Sequence, residues 1–128
     1  MINDPILKTN IKKVIGAQNQ RDAKYAHRNG ATTWDNLADR LEESKLLDKD
    51  FIDDLETMTE VELESIEAVY TIGRDLDPLD SPQKTLDSAR RGLREAYGKP
   101  SKSETIERLK NYQPLNEYLK SGEDILKL

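Results

Sequence analysis

The chain has 128 residues and a net charge of −5, and apolar and charged residues each make up 35% of it. This length is typical of one domain, and the low apolar content leaves each helix one narrow buried stripe. The lack of cysteine excludes disulfides, thiolate nucleophiles and cysteine-ligated metals, and the overall acidity argues against direct binding of nucleic acid.

The first residues lack the pattern of a secretory signal. Asp4 and Pro5 stand where a signal peptide has basic residues, and Lys12 and Lys13 interrupt the apolar positions that follow. No run approaches the roughly 20 apolar residues that span a bilayer. We therefore expect a cytoplasmic protein that makes no membrane contact.

Helical spacing of apolar residues begins near the N-terminus. Asn3 or Asp4 is expected to cap a first helix, which has Pro5 at its first position. This helix is expected to end at the turn signal Asn29-Gly30.

Two shorter helices are expected before residue 59. Thr32 or Thr33 caps the first of them, and Asp48 caps the second. Trp34 and Phe51, the only indole and phenyl rings of the chain, lie on their apolar stripes. We place both rings at the centre of the core, where each buries roughly 150–250 Å².

The segment 59–80 contains the strongest helix start signal. Thr59 and Glu62 form a capping box, in which each side chain accepts a hydrogen bond from the backbone amide of the other residue. A broad apolar arc follows, as in a central helix. Gly73 is expected to end this helix in a left-handed conformation, so that Gly73→Ala costs about 1 kcal/mol.

The C-terminal third of the chain predicts further helices. Asp80 or Ser81 caps one that has Pro82 in its first turn and ends at Gly98. Residues 101–104 form a second capping box, which begins a shorter helix.

The last residues predict one more short helix. A turn or two is expected at residues 115–119 and closes at Gly122. Residues 123–128 then either dock through Leu126 and Leu128 or form a frayed tail. No segment alternates apolar and polar residues over the length of a strand. We therefore expect an all-α fold, a compact bundle of five to seven helices in a single domain over residues 1–128.

Acidic residues are concentrated in the middle of the sequence. Eleven carboxylates lie between residues 42 and 67, against two lysines, and we call this segment the acidic belt. Basic residues are concentrated in the first helix and in the helix after Ser81. The belt is therefore either paired with the basic helices or available as a contact surface.

The corner after the central helix holds Arg74, Asp75, Asp77 and Asp80. A calcium loop that began at Asp75 would need glycine at its sixth position and glutamate at its twelfth. This chain has Asp80 and Leu86 there. We therefore expect no metal and no other cofactor, and we expect Arg74 to pair with Asp75, Asp77 or a first-turn glutamate.

The residue pattern gives little support to an enzymatic function. His27 is the only histidine, so a hydrolytic triad would depend on it, and no serine motif of the nucleophile-elbow type is present. The six glycines stand singly, which argues against a glycine-rich phosphate loop. We therefore predict no catalytic residue and a protein that is not an enzyme.

Three segments carry a more specific pattern. They are Ile11-Lys-Lys-Val-Ile with the later Arg21-Asp-Ala-Lys, Leu63-Glu-Ser-Ile-Glu-Ala-Val-Tyr-Thr-Ile-Gly-Arg, and Pro114-Leu-Asn-Glu-Tyr-Leu-Lys-Ser-Gly. In these segments the chain resembles a bacterial family known only as a domain of unknown function, number 3775, and it departs from the family at Tyr70 and Asp75. The resemblance implies one helical domain without a known activity, so it assigns no site residue.

Three hypotheses for the function follow. The first is a non-enzymatic protein–protein interaction domain, monomeric or homodimeric. Its contact surface is the acidic belt, at Asp53 and Asp54, or the corner, at Arg74, Asp75 and Asp77.

The second hypothesis is mimicry of nucleic acid, in which the carboxylates of the belt inhibit a DNA- or RNA-binding protein. This idea loses its support if the carboxylates pair with the basic helices. The third hypothesis is a small hydrolase or metal-dependent enzyme at Arg74, Asp75, Asp77 and His27.

Overall fold

The computed structural model describes residues 4–26, 37–75 and 81–128. In these ranges the chain forms six α-helices and no strand: α1 (Pro5–Ala26), α2 (Leu37–Glu56), α3 (Glu60–Asp75), α4 (Pro82–Tyr97), α5 (Lys102–Asn111) and α6 (Leu115–Leu126). The expected all-α bundle of five to seven helices is confirmed. No described helix is long and apolar enough to cross a bilayer.

Several helices begin and end as their local signals predict. The side chain of Asp4 accepts a hydrogen bond from the amide of Leu7 at 3.0 Å, and Pro5 begins α1. The Thr59 amide donates to Glu62 Oε1 at 2.8 Å, and the Glu62 amide donates to Thr59 Oγ1 at 3.1 Å. The capping box at the start of α3 is therefore confirmed.

The boundaries of α4 are also confirmed. Ser81 accepts from the Lys84 amide at 3.2 Å, and Gly98 ends the helix at a φ of 79°. The capping box predicted at residues 101–104 is wrong, because the Ser101 hydroxyl accepts no cap hydrogen bond and lies 3.5 Å from the Ser103 hydroxyl.

Two of the predicted helix boundaries are wrong. Asp48 does not begin a helix, since α2 runs unbroken from Leu37 to Glu56. Its carboxylate instead accepts from the Tyr25 hydroxyl at 3.0 Å on α1. The last helix does not close at Gly122 but continues to Leu126, which is fully buried. The C-terminal residues therefore dock on the core.

The predicted role of Gly73 is wrong as well. Gly73 lies inside α3, and among the described glycines it is Gly98 that has a positive φ. A Cβ added at Gly73 would overlap the Tyr118 carbonyl oxygen and lie 2.8 Å from the Gly122 nitrogen on α6. A Cβ added at Gly122 would overlap the Val69 carbonyl oxygen. Both glycines are needed because the backbones of α3 and α6 touch where they cross.

Helix α3 occupies the centre of the bundle and contacts α1, α4, α5 and α6. Its apolar arc is buried from Leu63 to Ile72, whereas Val61 in its first turn is 56% exposed. Phe51 from α2 is 1% exposed in the same core. The expected core position of Phe51 is confirmed. Trp34, the Asn29-Gly30 turn and the predicted caps at Thr32 or Thr33 lie outside the described residues.

Candidate functional site

The structure separates the residues that were predicted to contact a partner. Asp53 and Asp54 lie on α2 within one turn of its end, just before α3 begins. Arg74 and Asp75 end α3, and a helix of this length extends roughly 24 Å. Asp77 lies outside the described residues. The two predicted contact regions are therefore at opposite ends of α3.

Arg74 and Asp75 form the ion pair expected at the corner. Arg74 Nε donates to Asp75 Oδ1 at 3.0 Å, and Nη2 donates to Oδ2 at 2.7 Å. These hydrogen bonds lower the pKa of the Asp75 carboxyl and raise the pKa of the Arg74 guanidinium. The Arg74 guanidinium also lies 5.4 Å from the centre of the Tyr70 ring. The pair is pre-formed and partly exposed.

This pair lies at one end of a groove between α3 and α4, with a volume of about 380 Å³. The α3 side contributes Thr71, Arg74 and Asp75. The remaining lining residues come mainly from α4 and are mostly small or apolar: Thr85, Ser88, Ala89, Gly92, Leu93, Ala96, Tyr97 and Tyr112. An apolar floor with a few polar groups at its edge is typical of a binding site. We refer to this feature as the α3–α4 groove.

Two tyrosines shape the groove. The Tyr112 ring stacks on the Tyr70 ring with 4.3 Å between their centres, and its hydroxyl donates to Glu67 Oε2 at 2.6 Å. Burial and the Glu67 carboxylate raise the pKa of Tyr112. The Arg108 guanidinium lies 3.8 Å from the centre of the Tyr97 ring. Both tyrosines are thus fixed by neighbours.

Glu67 connects these contacts. It is 1% exposed and accepts two hydrogen bonds from Arg108, at 2.7 and 2.8 Å. One turn earlier, Glu64 accepts two from Arg94, at 3.0 and 3.2 Å. The two buried carboxylates therefore join α3 to α4 and α5.

Glu64 and Glu67 of the acidic belt pair with arginines of the later helices, which is one of the two alternatives that the sequence leaves open, and both are buried. Glu67 follows Leu63 by four residues and precedes Tyr70 by three, so it lies on the apolar arc of α3. A glutamate at an apolar position of a helix, in a chain with arginines on later helices, is a sequence pattern that indicates a buried ion pair. Sequence analysis did not identify this burial, because glutamate is almost never fully buried unless it is paired.

Other carboxylates of the belt pair with basic residues. Asp50 pairs with Lys24 of α1, and Asp53 pairs with Lys49 one turn before it at 2.7 Å. Asp48 lies 3.6 Å from Arg21 of α1. Because these carboxylates are paired with lysines and arginines, the hypothesis that the belt mimics nucleic acid loses its support.

The enzymatic hypothesis receives no supporting geometry from the described residues. His27 and Asp77, two of its four residues, lie outside them, as does the predicted cap Asp80. Within residues 4–26, 37–75 and 81–128, no three side chains of the histidine, cysteine, aspartate or glutamate type are grouped to hold a metal ion.

Comparison with known proteins assigns no family to this chain. A scan against models of protein families, a search of curated proteins and a search of solved structures each found no match. The resemblance to the family of unknown function stays a prediction.

Proposed function

We propose that the protein is a non-enzymatic interaction domain that binds a segment of a partner protein in the α3–α4 groove. The observation that carries this proposal is the groove itself, which combines an apolar floor, an exposed tyrosine and an ion pair at its end. Tyr97 is 49% exposed and is one of only four large apolar side chains exposed among the described residues. Tyrosine is enriched at protein interfaces because its ring is apolar and its hydroxyl can form hydrogen bonds.

The rigidity of the groove supports the same proposal. Tyr112 is held by stacking and by a hydrogen bond to the buried Glu67, while Arg108 covers the Tyr97 ring. Side chains that are already ordered lose little entropy when a partner binds. Pre-ordering of this kind favours binding of a partner segment.

The acidic belt is a weaker candidate for the contact surface. Asp53 is paired within its own helix, and Leu46 is the one large apolar side chain that is exposed among the described side chains of α2. The core of an interface is normally apolar and poor in charge. Burial of the apolar arc of α3 from Leu63 to Ile72 also favours a monomer over a dimer formed through this part of the helix.

Filling the groove tests the proposal. A Cβ added at Gly92 meets nothing within 4 Å, and the same holds for Gly16 on α1, away from the groove. We expect Gly92→Leu to fold and to occlude the groove. Gly16→Leu is the matched control, because it makes the same helical substitution elsewhere.

The measurement is capture from native lysate with the wild type and both variants, followed by titration of the purified captured protein. We expect a partner that binds the wild type and Gly16→Leu saturably and loses at least tenfold in affinity for Gly92→Leu. A partner that binds all three proteins equally would show that the contact surface lies outside the groove and would contradict the proposal. The absence of any saturable partner would refute the proposal.

A further inference from the structure

We propose that the docking of α5 on α3 holds Tyr97 and Tyr112 in place in the α3–α4 groove, so that the shape of the groove depends on α5. The observation behind this is the position of Arg108 on α5. Its side chain covers one of the two rings and holds the carboxylate that binds the other, yet it does not line the groove. The coupling concerns the free protein, and its effect on a bound partner rests on the proposed function.

The local sequence of α5 gives this helix little stability of its own. The helix has 10 residues, and an isolated helix of that length is marginal in water. The Ser101 hydroxyl makes no cap hydrogen bond, so the first turn lacks the stabilisation that a serine at this position normally gives. The helix therefore depends on its contacts with the rest of the bundle.

Contacts of two kinds hold α5 in the bundle. Ile106 and Leu109 are buried in the core, where α5 packs on α2 and α3. Arg108 donates two hydrogen bonds to the carboxylate of Glu67 on α3, at 2.7 and 2.8 Å. A segment with few buried apolar side chains is among the first parts of a protein to open. We therefore expect α5 to open as a separate unit, and we expect the ion pair to limit that opening.

The same ion pair reaches the groove at two points. The Arg108 guanidinium lies over the Tyr97 ring of α4, 3.8 Å from its centre. The Glu67 carboxylate also accepts a hydrogen bond from the hydroxyl of Tyr112, the residue that directly follows α5. Both rings line the groove. Opening of α5 would uncover the first ring and draw the second away from the stack that it forms with Tyr70.

The coupling acts in both directions, because a coupling free energy between two sites is reciprocal. A partner segment that packs against Tyr97 and Tyr112 binds the docked state of α5 more tightly than the open state, so it raises the population of the docked state. In the same way, a change at Arg108 weakens binding in the groove, although this side chain does not line it. Arg108 is thus a positioning residue of the groove.

Native-state hydrogen exchange of the whole chain, followed by NMR, tests the effect of Arg108. The variant Arg108→Met is compared with Lys110→Met, which removes a cation from the same helix. Lys110 pairs with Glu107 within α5 and does not line the groove. We expect Arg108→Met to speed exchange of the α5 amides at least about tenfold relative to those of α6, and to release the Tyr97 side chain into several rotamers. Lys110→Met should do neither.

A change on the groove side tests the reverse direction. Tyr97 is 49% exposed, so Tyr97→Leu leaves no buried cavity, but it removes the ring that Arg108 covers. We expect exchange of the α5 amides to become about two- to fivefold faster, as for loss of an exposed cation–π contact. Adding Tyr97→Leu to Arg108→Met should cause no further change, because the contact is already lost.

Two results of these exchange measurements would overturn the coupling. The first is unchanged exchange of the α5 amides in Tyr97→Leu. The second is equal acceleration by Arg108→Met in all the described helices, because α5 would then not open separately from the rest of the bundle.

The partner captured under the proposed function provides a third measurement. Its affinity for Arg108→Met should be about two- to tenfold lower than for the wild type, the cost of ordering a released side chain on binding, and its affinity for Lys110→Met should be unchanged. Equal affinity for both variants would contradict the effect on binding. The absence of any saturable partner would refute the proposed function, while the exchange measurements would still decide whether α5 and the groove are coupled.

Discussion

Gly73→Ala is expected to lower the free energy of unfolding by about 3 kcal/mol, because overpacking of a tight core contact typically costs 1–3 kcal/mol and sometimes more. The new methyl group would overlap the Tyr118 carbonyl oxygen, which belongs to the backbone of α6 and is unable to rotate away. The two helices would have to separate at their crossing. Chemical denaturation followed by circular dichroism measures the change.

Gly92→Ala is the matched control for this substitution. Gly92 is also a helical glycine, but it is exposed and a Cβ there meets nothing within 4 Å. Alanine at that position should stabilise the protein by up to about 1 kcal/mol through its higher helix propensity. If both variants change stability by the same amount, the backbone contact between α3 and α6 at Gly73 does not exist as described.

Arg108→Met is expected to cost about 3 kcal/mol, because it leaves the buried Glu67 carboxylate without its positive partner. Glu67 is 1% exposed, and its carboxylate would keep only the hydrogen bond from the Tyr112 hydroxyl among its described hydrogen bonds. Methionine retains an apolar stem of similar length, so the loss reports mainly on the charge. Urea denaturation at neutral pH gives the difference in the free energy of unfolding.

The double variant Glu67→Leu with Arg108→Met separates charge from packing. Replacing both members of a buried ion pair with apolar residues is often neutral or stabilising, so the double variant should be more stable than Arg108→Met alone. If Arg108→Met is as stable as the wild type, Glu67 does not hold the groove together. An equally large loss in both variants would assign the effect to packing around Tyr97.

The features that sequence analysis predicted well are local in the chain. The caps at Asp4, Thr59 and Ser81 join residues that are three apart, and each hydrogen bond is present. The end of α4 at Gly98 is also determined by neighbouring residues in the sequence. Such contacts follow from neighbouring residue types alone, which is why they could be identified without a tertiary structure.

The features that sequence analysis missed depend on contacts between distant residues. Glu67 and Arg108 are 41 positions apart, and the buried Glu67 carboxylate is satisfied by Arg108 together with the Tyr112 hydroxyl. Gly73 matches the pattern of a helix stop, yet its role is set by the passage of α6 at Gly122. Glycine permits both a left-handed turn and a close backbone approach, so the residue type alone could not distinguish them.

The candidate site was predicted in part. The Arg74–Asp75 pair is adjacent in sequence and could be identified from the charges. The groove beside it could not, because its second wall comes from α4 and Tyr112 comes from the end of α5. The small residues of α4 have no distinctive pattern until α3 is placed beside them.

Chemical-shift mapping tests the central claim, binding of a partner segment in the α3–α4 groove, most directly. The partner captured from lysate is titrated into the isotope-labelled protein, and the backbone amides that shift are assigned. We expect the largest shifts in residues 71–75 and 85–97, with α1 and α2 unaffected. Shifts centred on Asp53 and Asp54 of α2, or spread evenly over the six helices, would contradict binding in the groove.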